Sequence, residues 1–285
     1  MEFRGKDKMN NSNRSLVDHY GKQWADFDGS KRPTQETLRE FNGYFSIFPW
    51  EKLPENAEGF DAGCGNGRWA ELVLKNKKIG LLNLVEPSDA IEVAKSKIKN
   101  DNVKFYKTTI NDSELMDNSQ DFGYCLGVFH YIPEPESAMK SCVNKLKPGA
   151  PFLVYMYYNF ENRPWWFKVI WKGSDIVRKC ISKMPYGIRK FCTDIIAMTV
   201  YWPLAKLSKL FEALHLPYHN IPLSATRNDS LYNMRTVSLD RFGSAIEHRF
   251  SKKDIVKMMT ECGLENISFS NNPEVNWVAI GYKKA

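Results

Sequence analysis

Apolar and polar residues follow two patterns along this chain: short apolar runs, and longer segments whose apolar residues recur every three or four positions. The short runs predict β-strands and the longer segments predict amphipathic helices. Strands are predicted at 59–62, 81–85, 103–107, 122–126, 152–156, 265–270 and 277–283. Helices are predicted between the first five strands at 68–75, 88–98 and 136–145. This alternation is typical of a parallel sheet with helices on both faces.

Further helices are predicted on either side of the alternating stretch. One begins at Ser15, a second covers 34–45, and a third covers 252–262 and precedes the sixth strand. The last two strands are separated by a short loop at 271–273, so they are predicted to form a hairpin. A hairpin places one antiparallel strand in an otherwise parallel sheet. The predicted fold class is therefore α/β, with seven strands.

The alternation stops after the fifth strand, where the pattern predicts a helical insertion. Apolar residues in 166–184 recur at helical spacing, with a fault at Gly173. Two more helices are predicted at 188–202, which should end at Pro203, and at 204–214, because proline cannot donate the helical hydrogen bond. These helices are expected to cover the core of the protein.

One part of the insertion is not predicted to be helical, and another is not predicted to span a membrane. Residues 220–236 lack a clear period and predict an extended loop. The barely charged run 195–202 is far shorter than the roughly 20 apolar residues that a membrane-spanning helix needs. The insertion is therefore not expected to cross a membrane.

Composition indicates a globular protein in a reducing environment. The chain has 285 residues, enough for a substantial core;. Its six cysteines are scattered and form no CxxC pair, so neither a disulfide framework nor a metal site is predicted;. Residues 1–14 are polar, contain no apolar run typical of a signal peptide, and are predicted to be disordered. A cytoplasmic location is expected.

The positive charge of the chain is concentrated in the insertion. The net charge is +7, and residues 160–212 contain ten basic and four acidic side chains. The charges lie between apolar positions at helical spacing, which favours a solvated helix face over an RNA-binding surface. A membrane-surface helix is an alternative interpretation of the same pattern.

The stretch 60–70 carries the clearest chemical signal. Asp61 ends a short apolar run, and Gly63, Gly65 and Gly67 follow at alternate positions before a helix begins. Glycines at this density let the backbone turn sharply and approach a ligand closely. The spacing differs from the dinucleotide motif Gly-x-Gly-x-x-Gly, and no Gly-Lys-Ser/Thr of a P-loop follows.

Three further motifs follow the glycine loop in order. They are Glu86 at the end of an apolar run, the segment 121–133, and Leu146-Lys147-Pro148-Gly149. Together the four motifs resemble the class I S-adenosylmethionine-dependent methyltransferases, over the first half to two thirds of the chain. The resemblance implies a Rossmann-like sheet of seven strands with the last one reversed, and an N-terminal lid over the cofactor.

The resemblance also divides the chain into five segments. They are a disordered lead (1–14), an N-terminal helical lid (15–55), a cofactor-binding core (56–158), a helical aromatic and basic insertion that caps the acceptor (159–236), and the C-terminal part of the core sheet (237–285).

Specific residues then acquire roles toward S-adenosylmethionine and its product S-adenosylhomocysteine. The resemblance implies that Asp61 receives the ammonium group, and that the backbone of the loop Gly63, Gly65 and Gly67 approaches the sugar and the amino-acid tail. Glu86 would accept both ribose hydroxyls, because a carboxylate offers two acceptor oxygens and no donor. The alternative for Glu86 is a helix N-cap.

Other cofactor contacts are implied at the ends of later strands and in the lid. Ile110, through its backbone, or Asn111 would read the adenine edge, although this chain lacks the acid that the family often carries there and Asn111 also fits an ordinary turn. Leu126 and Gly127 would line the methionine portion. Tyr20 would belong to the lid, or else pack on the core.

Two histidines are candidates for a catalytic base. His130 follows the fourth strand, where the resemblance implies that the loop faces the pocket, and His248 precedes the helix at 252–262. Either imidazole can take a proton near neutral pH. The alternative for each is a hydrogen-bonded packing residue. A base is required only when the acceptor is a hydroxyl or a protonated amine.

The acceptor is predicted to be a small molecule. The chain lacks the Asn-Pro-Pro-Tyr/Phe motif of enzymes that methylate adenine, cytosine or glutamine nitrogens. The aromatic residues of the insertion suit a saccharide or a natural product. These aromatic residues are Trp165, Trp166, Trp171, Tyr201 and Trp202. The leading hypothesis is transfer to a hydroxyl oxygen of such a molecule.

Two alternatives remain open at this point. One is a methyltransferase that acts on a lipid or quinone at a membrane surface, with peripheral contact through 160–212. The other is a methyltransferase that acts on RNA or protein, of which RNA is disfavoured. No DNA partner is expected, and the sequence predicts no oligomeric state.

Overall fold

The computed structural model describes residues 3–271 and 276–285, with side chains from residue 14 onward. These residues form a seven-stranded sheet with the order β3-β2-β1-β4-β5-β7-β6, in which β7 runs antiparallel to β5 and β6 and the other pairs are parallel. The strands are β1 (Glu58–Ala62), β2 (Leu81–Val85), β3 (Val103–Tyr106), β4 (Phe122–Leu126), β5 (Pro151–Met156), β6 (Leu264–Phe269) and β7 (Trp277–Lys283). The predicted fold class is confirmed.

Helices connect the strands and form most of the segment between β5 and β6. They are α1 (Phe3–Asp26), α2 (Thr34–Tyr44), α3 (Arg68–Asn76), α4 (Ala90–Lys97), α5 (Pro135–Lys145), α6 (Trp165–Ile181), α7 (Tyr186–Ile196), α8 (Trp202–Ala213), α9 (Leu231–Gly243) and α10 (Lys252–Glu261). The chain forms two compact units, one of Met1–Gly29, Phe41–Tyr157 and His248–Ala285, and one of Ser30–Glu40 and Tyr158–Glu247. We call them the sheet unit and the helical unit.

The sheet buries side chains on both faces, which explains the nearly continuous apolar strands. Phe60 and Phe152 stack on one face with ring centroids 6.0 Å apart. Phe122 belongs to the cluster on the other face. A Cβ atom at Gly59 would lie 2.3 Å from the Phe122 ring. Glycine at this position therefore makes room for an aromatic ring from the neighbouring strand.

Two predicted interruptions of the insertion helices, at Gly173 and at Pro203, are wrong, whereas the predicted break between 184 and 188 agrees with the gap between α6 and α7. Helix α6 continues through Gly173, which is exposed and costs only about 1 kcal/mol relative to alanine;. Helices α7 and α8 are joined by a π-helical turn at Ala197–Tyr201. In this turn the N–H group of Trp202 donates to the carbonyl of Ala197, so the wider turn accommodates Pro203 without ending the helix;.

The extended loop predicted for 220–236 is also wrong, because α9 begins at Leu231. The hydroxyl of Ser230 accepts the N–H group of Asn233 at 3.2 Å and caps the helix;. The buried side of α9 includes polar residues such as Asn233, Thr236 and Ser238, so it has no apolar period that a sequence pattern could reveal;.

Two predicted segments without regular structure have different outcomes. Helix α1 begins at Phe3, so residues 3–14 are helical where the sequence predicts a disordered lead. Only polarity suggested disorder there, and no proline interrupts the segment. The predicted turn at 271–273 lies mostly outside the described residues. The boundaries of the five predicted segments stay a prediction.

A buried cluster of ion pairs ties α2 to the start of α9 within the helical unit. Arg32 binds Glu36 at 3.0 Å and also binds Glu40, while Arg39 binds Asp229. Glu36 also accepts the N–H group of Ser230 at 2.8 Å. Burial, followed by Glu40 and Glu36, raises the pKa of Asp229 to about 7, and Arg39 offsets only part of the shift;.

Asp229→Asn is therefore expected to gain stability relative to the native chain as the pH rises. A carboxyl group with a raised pKa stabilises the folded state while it is protonated, and this contribution is lost between its ordinary pKa of 3.8 and about 7;. The free energy of unfolding of the variant minus that of the native chain should increase by about 2 kcal/mol between pH 5 and pH 8 in urea titrations.

Asp194→Asn is the matched control. Asp194 pairs with Arg235 at 2.7 Å and has a lowered pKa, so it is ionised in folded and unfolded chains throughout this pH range. Its replacement should destabilise the chain by an amount that does not change between pH 5 and pH 8. A flat difference for Asp229→Asn would contradict the assigned pKa.

Candidate functional site

The candidate site lies where the strand order reverses. From β1 the chain places β2 and β3 on one side and β4 and β5 on the other. In open parallel sheets, ligands bind at the carboxyl ends of the strands at such a switch point. The carboxyl ends of β1, β2 and β4 and the loops that follow them contain the residues from 61 to 67, Glu86, and the residues from 126 to 130.

The glycine loop after β1 has a conformation that side chains with a Cβ atom adopt poorly. Gly63, Gly65 and Gly67 have φ values of 77°, 54° and 75°;. A Cβ atom at Gly63 would lie 2.3 Å from the side chain of Val128, in the loop after β4. The N–H group of Gly63 donates to the carbonyl of Val85 at 2.8 Å. The loop is thus held tightly between its neighbours.

Glu86 holds the glycine loop through its carboxylate. One carboxylate oxygen accepts the N–H group of Gly65 at 3.1 Å, and the other accepts the N–H group of Ser88 at 2.9 Å. Helix α4 starts only at Ala90, with Asp89 as its N-cap residue, so Glu86 is not the cap of that helix. Each carboxylate oxygen can accept a second hydrogen bond, which is compatible with the expected contact to two ribose hydroxyls.

Asp61 is a buried carboxylate with an orphaned oxygen. Its Oδ2 atom has no hydrogen-bond partner among the described residues. Burial raises the pKa of Asp61 well above the ordinary range. Tyr124 on the neighbouring strand lowers this pKa in part, although the Tyr124 hydroxyl is not placed to form a hydrogen bond. The nearby charge of Glu86 raises the pKa further.

Burial also raises the pKa of Glu86, and hydrogen bonds from Ser88 and Gly65 counteract the shift. No basic side chain in the described part of the chain contributes to the pKa shift of Asp61 or of Glu86. Two buried acids without a cation favour a positively charged ligand. The orphaned oxygen and the glycine loop therefore fit a sulfonium nucleotide.

Helix α1 packs beside the glycine loop. A Cβ atom at Gly21 would lie 3.3 Å from the backbone nitrogen of Asp89, and one at Gly65 would lie 3.1 Å from the indole nitrogen of Trp24. The side-chain amide of Asn66 donates to the carbonyl of Phe27 at 3.1 Å. The half-buried Tyr20 lies 5.6 Å from Tyr131, ring centroid to ring centroid. These contacts suit the predicted lid.

The residues predicted to contact adenine and methionine lie in two other loops. Ile110 is buried, its carbonyl accepts the hydroxyl of Ser113 at 3.0 Å, and Asn111 is exposed. Leu126 is buried at the end of β4, and Gly127 follows with φ 83°. The described contacts do not join Ile110 or Asn111 to the glycine loop, so their cofactor role stays a prediction.

The two candidate bases are brought together. The backbone N–H group of His248 donates to the carbonyl of His130 at 2.7 Å, and Nε2 of His248 lies 3.1 Å from the carbonyl oxygen of Ile132. His248 therefore holds the loop that carries His130. The ring of His130 stacks on Tyr157, with centroids 3.8 Å apart and an interplanar angle of 14°.

His130 combines burial with missing hydrogen bonds. Neither ring nitrogen has a partner among the described residues. Burial, followed by Arg249 and His248, lowers its pKa well below the usual range of histidine. The imidazole is therefore neutral at pH 7, and one nitrogen can accept a proton or a hydrogen bond from a ligand.

Several residues that shape the site lie outside the predicted set. Gly21 allows α1 to approach the backbone of Asp89, and Val128 packs against Gly63. Asn66 binds the glycine loop to the carbonyl of Phe27, and Tyr157 stacks on His130. A glycine in the middle of a predicted helix was a usable signal for Gly21. The other three depend on contacts between distant parts of the chain, which no local pattern reveals.

Comparisons with known proteins support the same expectation. Residues 60–154 match the family model described as a methyltransferase domain. The ubiquinone biosynthesis O-methyltransferases of Saccharophagus degradans and Pectobacterium carotovorum are 26% and 23% identical over 174 and 178 residues, each match covering 59% of this chain and 70% of the relative.

A solved structure shares the fold. It is that of an O-methyltransferase family protein from Burkholderia thailandensis, with a TM-score of 0.52 and 12% sequence identity. The match covers 88% of this chain and 57% of that chain.

Asp61→Asn is expected to separate ligand binding from folding. Loss of the carboxylate charge should weaken S-adenosylmethionine binding about 10- to 100-fold in calorimetry, the usual range for a hydrogen bond to a charged group. The unliganded variant should unfold at the same or a higher temperature at pH 8, because the amide avoids the cost of burying a charge. Asp101→Asn, on an exposed turn, is the control. Unchanged affinity in Asp61→Asn would contradict the proposed contact.

Proposed function

We propose that this chain, which carries a class I S-adenosylmethionine-dependent methyltransferase domain, transfers the methyl group to a hydroxyl oxygen of a small molecule. The observation that carries the oxygen acceptor is His130, a buried neutral imidazole without hydrogen-bond partners among the described residues. Such a group suits an acceptor that must lose a proton. The names of the curated relatives include the word O-methyltransferase, which also favours oxygen.

The proposed cofactor contacts follow the charges of the site. Asp61 would receive the ammonium group on its free oxygen, and Glu86 would accept the ribose hydroxyls while it holds the N–H group of Gly65. The backbone around Gly63 and Gly67 would approach the sugar and the tail. The buried negative charge would also offset the positive sulfonium in a site with little water.

The remaining proposed contacts complete the cofactor site. Leu126 and Gly127 would line the methionine portion, and Ile110 or Asn111 would read the adenine edge. Tyr20 would cover the site from α1, since it already lies against Tyr131.

In the proposed reaction the cofactor supplies a methyl group on a positively charged sulfur. The acceptor oxygen would form a bond to the methyl carbon as the carbon–sulfur bond breaks, and the electron pair of the broken bond would remain on sulfur. The hydroxyl proton passes to His130. The site loses one positive charge at sulfur and gains one on the imidazole, so its net charge is unchanged.

His248 is proposed to act as a positioning residue. Its backbone and ring hold the loop that carries His130, through the carbonyls of His130 and Ile132. Alignment of acceptor and donor supplies much of the acceleration in such displacements. His248 would therefore affect the placement of the base more than proton transfer itself.

Aromatic rings around His130 support an acceptor with a flat or ring-shaped body. The hydroxyl of Tyr131 donates a hydrogen bond to the hydroxyl of Tyr157 at 2.9 Å, beside the imidazole. The ring centroid of Tyr155 lies 6.2 Å from that of His130. Such faces suit the proposed saccharide or natural product. Within the insertion, Tyr201 is a buried core residue and the indole of Trp171 donates to Glu247 at 3.0 Å. A covering role for the insertion tryptophans remains part of the proposal.

A second candidate is a lipid or quinone acceptor at a membrane surface. It is favoured by exposed apolar side chains in the helical unit, such as Trp165 and Phe191, which are 76% and 67% exposed. The names of the curated relatives refer to ubiquinone biosynthesis, which is compatible with this candidate. Both candidates share a hydroxyl oxygen as the acceptor atom.

Transfer of labelled methyl groups from S-adenosylmethionine tests the proposal. We expect the purified chain to label a metabolite or lipid fraction, and mass spectrometry to find a methyl ether in the product. Asp61→Asn serves as the control with weakened cofactor binding. Label found only in RNA or protein would overturn the proposed acceptor class.

His130→Gln is expected to lower kcat about 100- to 10,000-fold without changing cofactor affinity, because glutamine forms hydrogen bonds but does not take the proton. Because the pKa of His130 is lowered, kcat of the native enzyme should stay constant as the pH falls from 8 to about 6. His248→Gln should have a smaller effect. A kcat within a few-fold of native for His130→Gln would exclude a base role.

A further inference from the structure

The exposed apolar side chains of this protein are concentrated in one part of the chain. Of the 17 large hydrophobic side chains that are exposed among the described residues, 14 lie between Trp165 and Leu216. Scattered exposed apolar residues are normal, but a concentration of this kind marks an interaction surface. All 14 belong to the helical unit.

Helices α7 and α8 bury small residues and expose large ones. Apart from Tyr201, the residues that they bury are small, namely Thr193, Ala197, Ala205 and Ser208, at steps of three or four residues or their multiples. Their exposed large residues are Ile188, Phe191, Ile195, Met198, Val200, Leu207 and Leu210. A helix in water normally shows the opposite arrangement. Small residues between helices and large apolar residues outside are typical of helices whose solvent is lipid.

Helix α6 adds a row of positive charge beside an apolar row. Trp165, Val169 and Ile176 are exposed at steps of four and seven residues, which places them on one side of the helix;. The exposed Lys168 and Lys172 lie next to that row, each less than one turn from an apolar neighbour. The described residues supply no carboxylate partner for either lysine.

The acidic residues of α6, α7 and α8 themselves are all paired with basic side chains. Asp175 pairs with Arg178 and Lys179, at 2.6 and 2.8 Å. Asp194 pairs with Lys190 and Arg235, and Glu212 pairs with Arg227 at 2.9 Å. The charge that these helices offer to a partner is therefore positive.

We propose that the exposed face of α6, α7 and α8 binds the surface of an anionic lipid bilayer. Unpaired lysines beside apolar side chains match the headgroup region of such a bilayer. No helix among the described residues is long and apolar enough to cross a bilayer. Like charges on two copies would repel, which disfavours a second copy of this chain. A nucleic acid does not account for the apolar residues.

Vesicle flotation of the full chain tests this inference without any methyl transfer. We expect flotation with vesicles of phosphatidylcholine and phosphatidylglycerol, and little with phosphatidylcholine alone. High salt should weaken the binding. No flotation with the anionic vesicles at low salt would overturn the proposal.

Two variants test the two kinds of contact. Lys168→Gln/Lys172→Gln should weaken binding to anionic vesicles about 30-fold, since each basic residue near such a surface contributes on the order of fivefold. Phe191→Ser/Met198→Ser should weaken it at least as strongly through lost apolar burial. Lys104→Gln and Met116→Ser, on exposed positions of the sheet unit, are the matched controls. Equal loss in variants and controls would contradict the assigned face.

Two further measurements distinguish lipid binding from misfolding of the variants and from self-association of the chain. A thermal shift with S-adenosylmethionine that is unchanged in the variants shows that they are folded and that the cofactor site is independent of vesicle binding. Light scattering gives the oligomeric state. A stable dimer that Phe191→Ser/Met198→Ser dissociates, without vesicle binding by the native chain, would assign the face to a second copy and overturn the proposal.

Discussion

Two carboxylates buried at the carboxyl edge of the sheet are the constraint on which the site depends. Asp61 and Glu86 lie at the ends of neighbouring strands, and burial raises the pKa of both. Such a pair is costly by itself, because no basic side chain in the described part of the chain contributes to the pKa shift of either acid;. The cost is offset when a cation binds. The fold therefore keeps an arrangement that is unfavourable by itself and favourable with a positively charged ligand.

The surrounding structure maintains that arrangement. Glu86 can hold the N–H group of Gly65 only because the glycine loop turns back toward β2, and this requires the positive φ values of the loop;. Val128 packs so closely on the loop that a Cβ atom on Gly63 would collide with it. A Cβ atom on Gly65 would crowd the side chain of Trp24. The site is consequently built by backbone geometry and packing as much as by charged side chains.

The sequence allowed prediction of the sheet because both faces of the sheet are buried, so each strand is a clear apolar run. It also indicated the glycine loop, since only glycine tolerates that backbone. It failed where the deciding contact is not local or not apolar. Pro203 does not end its helix, because it follows a π-helical turn. The buried side of α9 is partly polar, and the helix begins at the cap formed by Ser230. Helices α7 and α8 bury mainly small residues. The packing of His130 on Tyr157 likewise joins two loops that no periodicity connects.

The exposed apolar residues of the helical unit are not explained by folding. The core between α8 and α9 is formed by Tyr201, Ala205 and Met234, and α7 joins α9 through the hydroxyl of Ser238, which donates to the carbonyl of Thr193 at 2.8 Å. These contacts do not need Phe191 or Leu210, which are 67% and 53% exposed. Large apolar side chains in water add a risk of aggregation and no internal packing. Their concentration beside unpaired lysines therefore fits a partner that is both apolar and anionic.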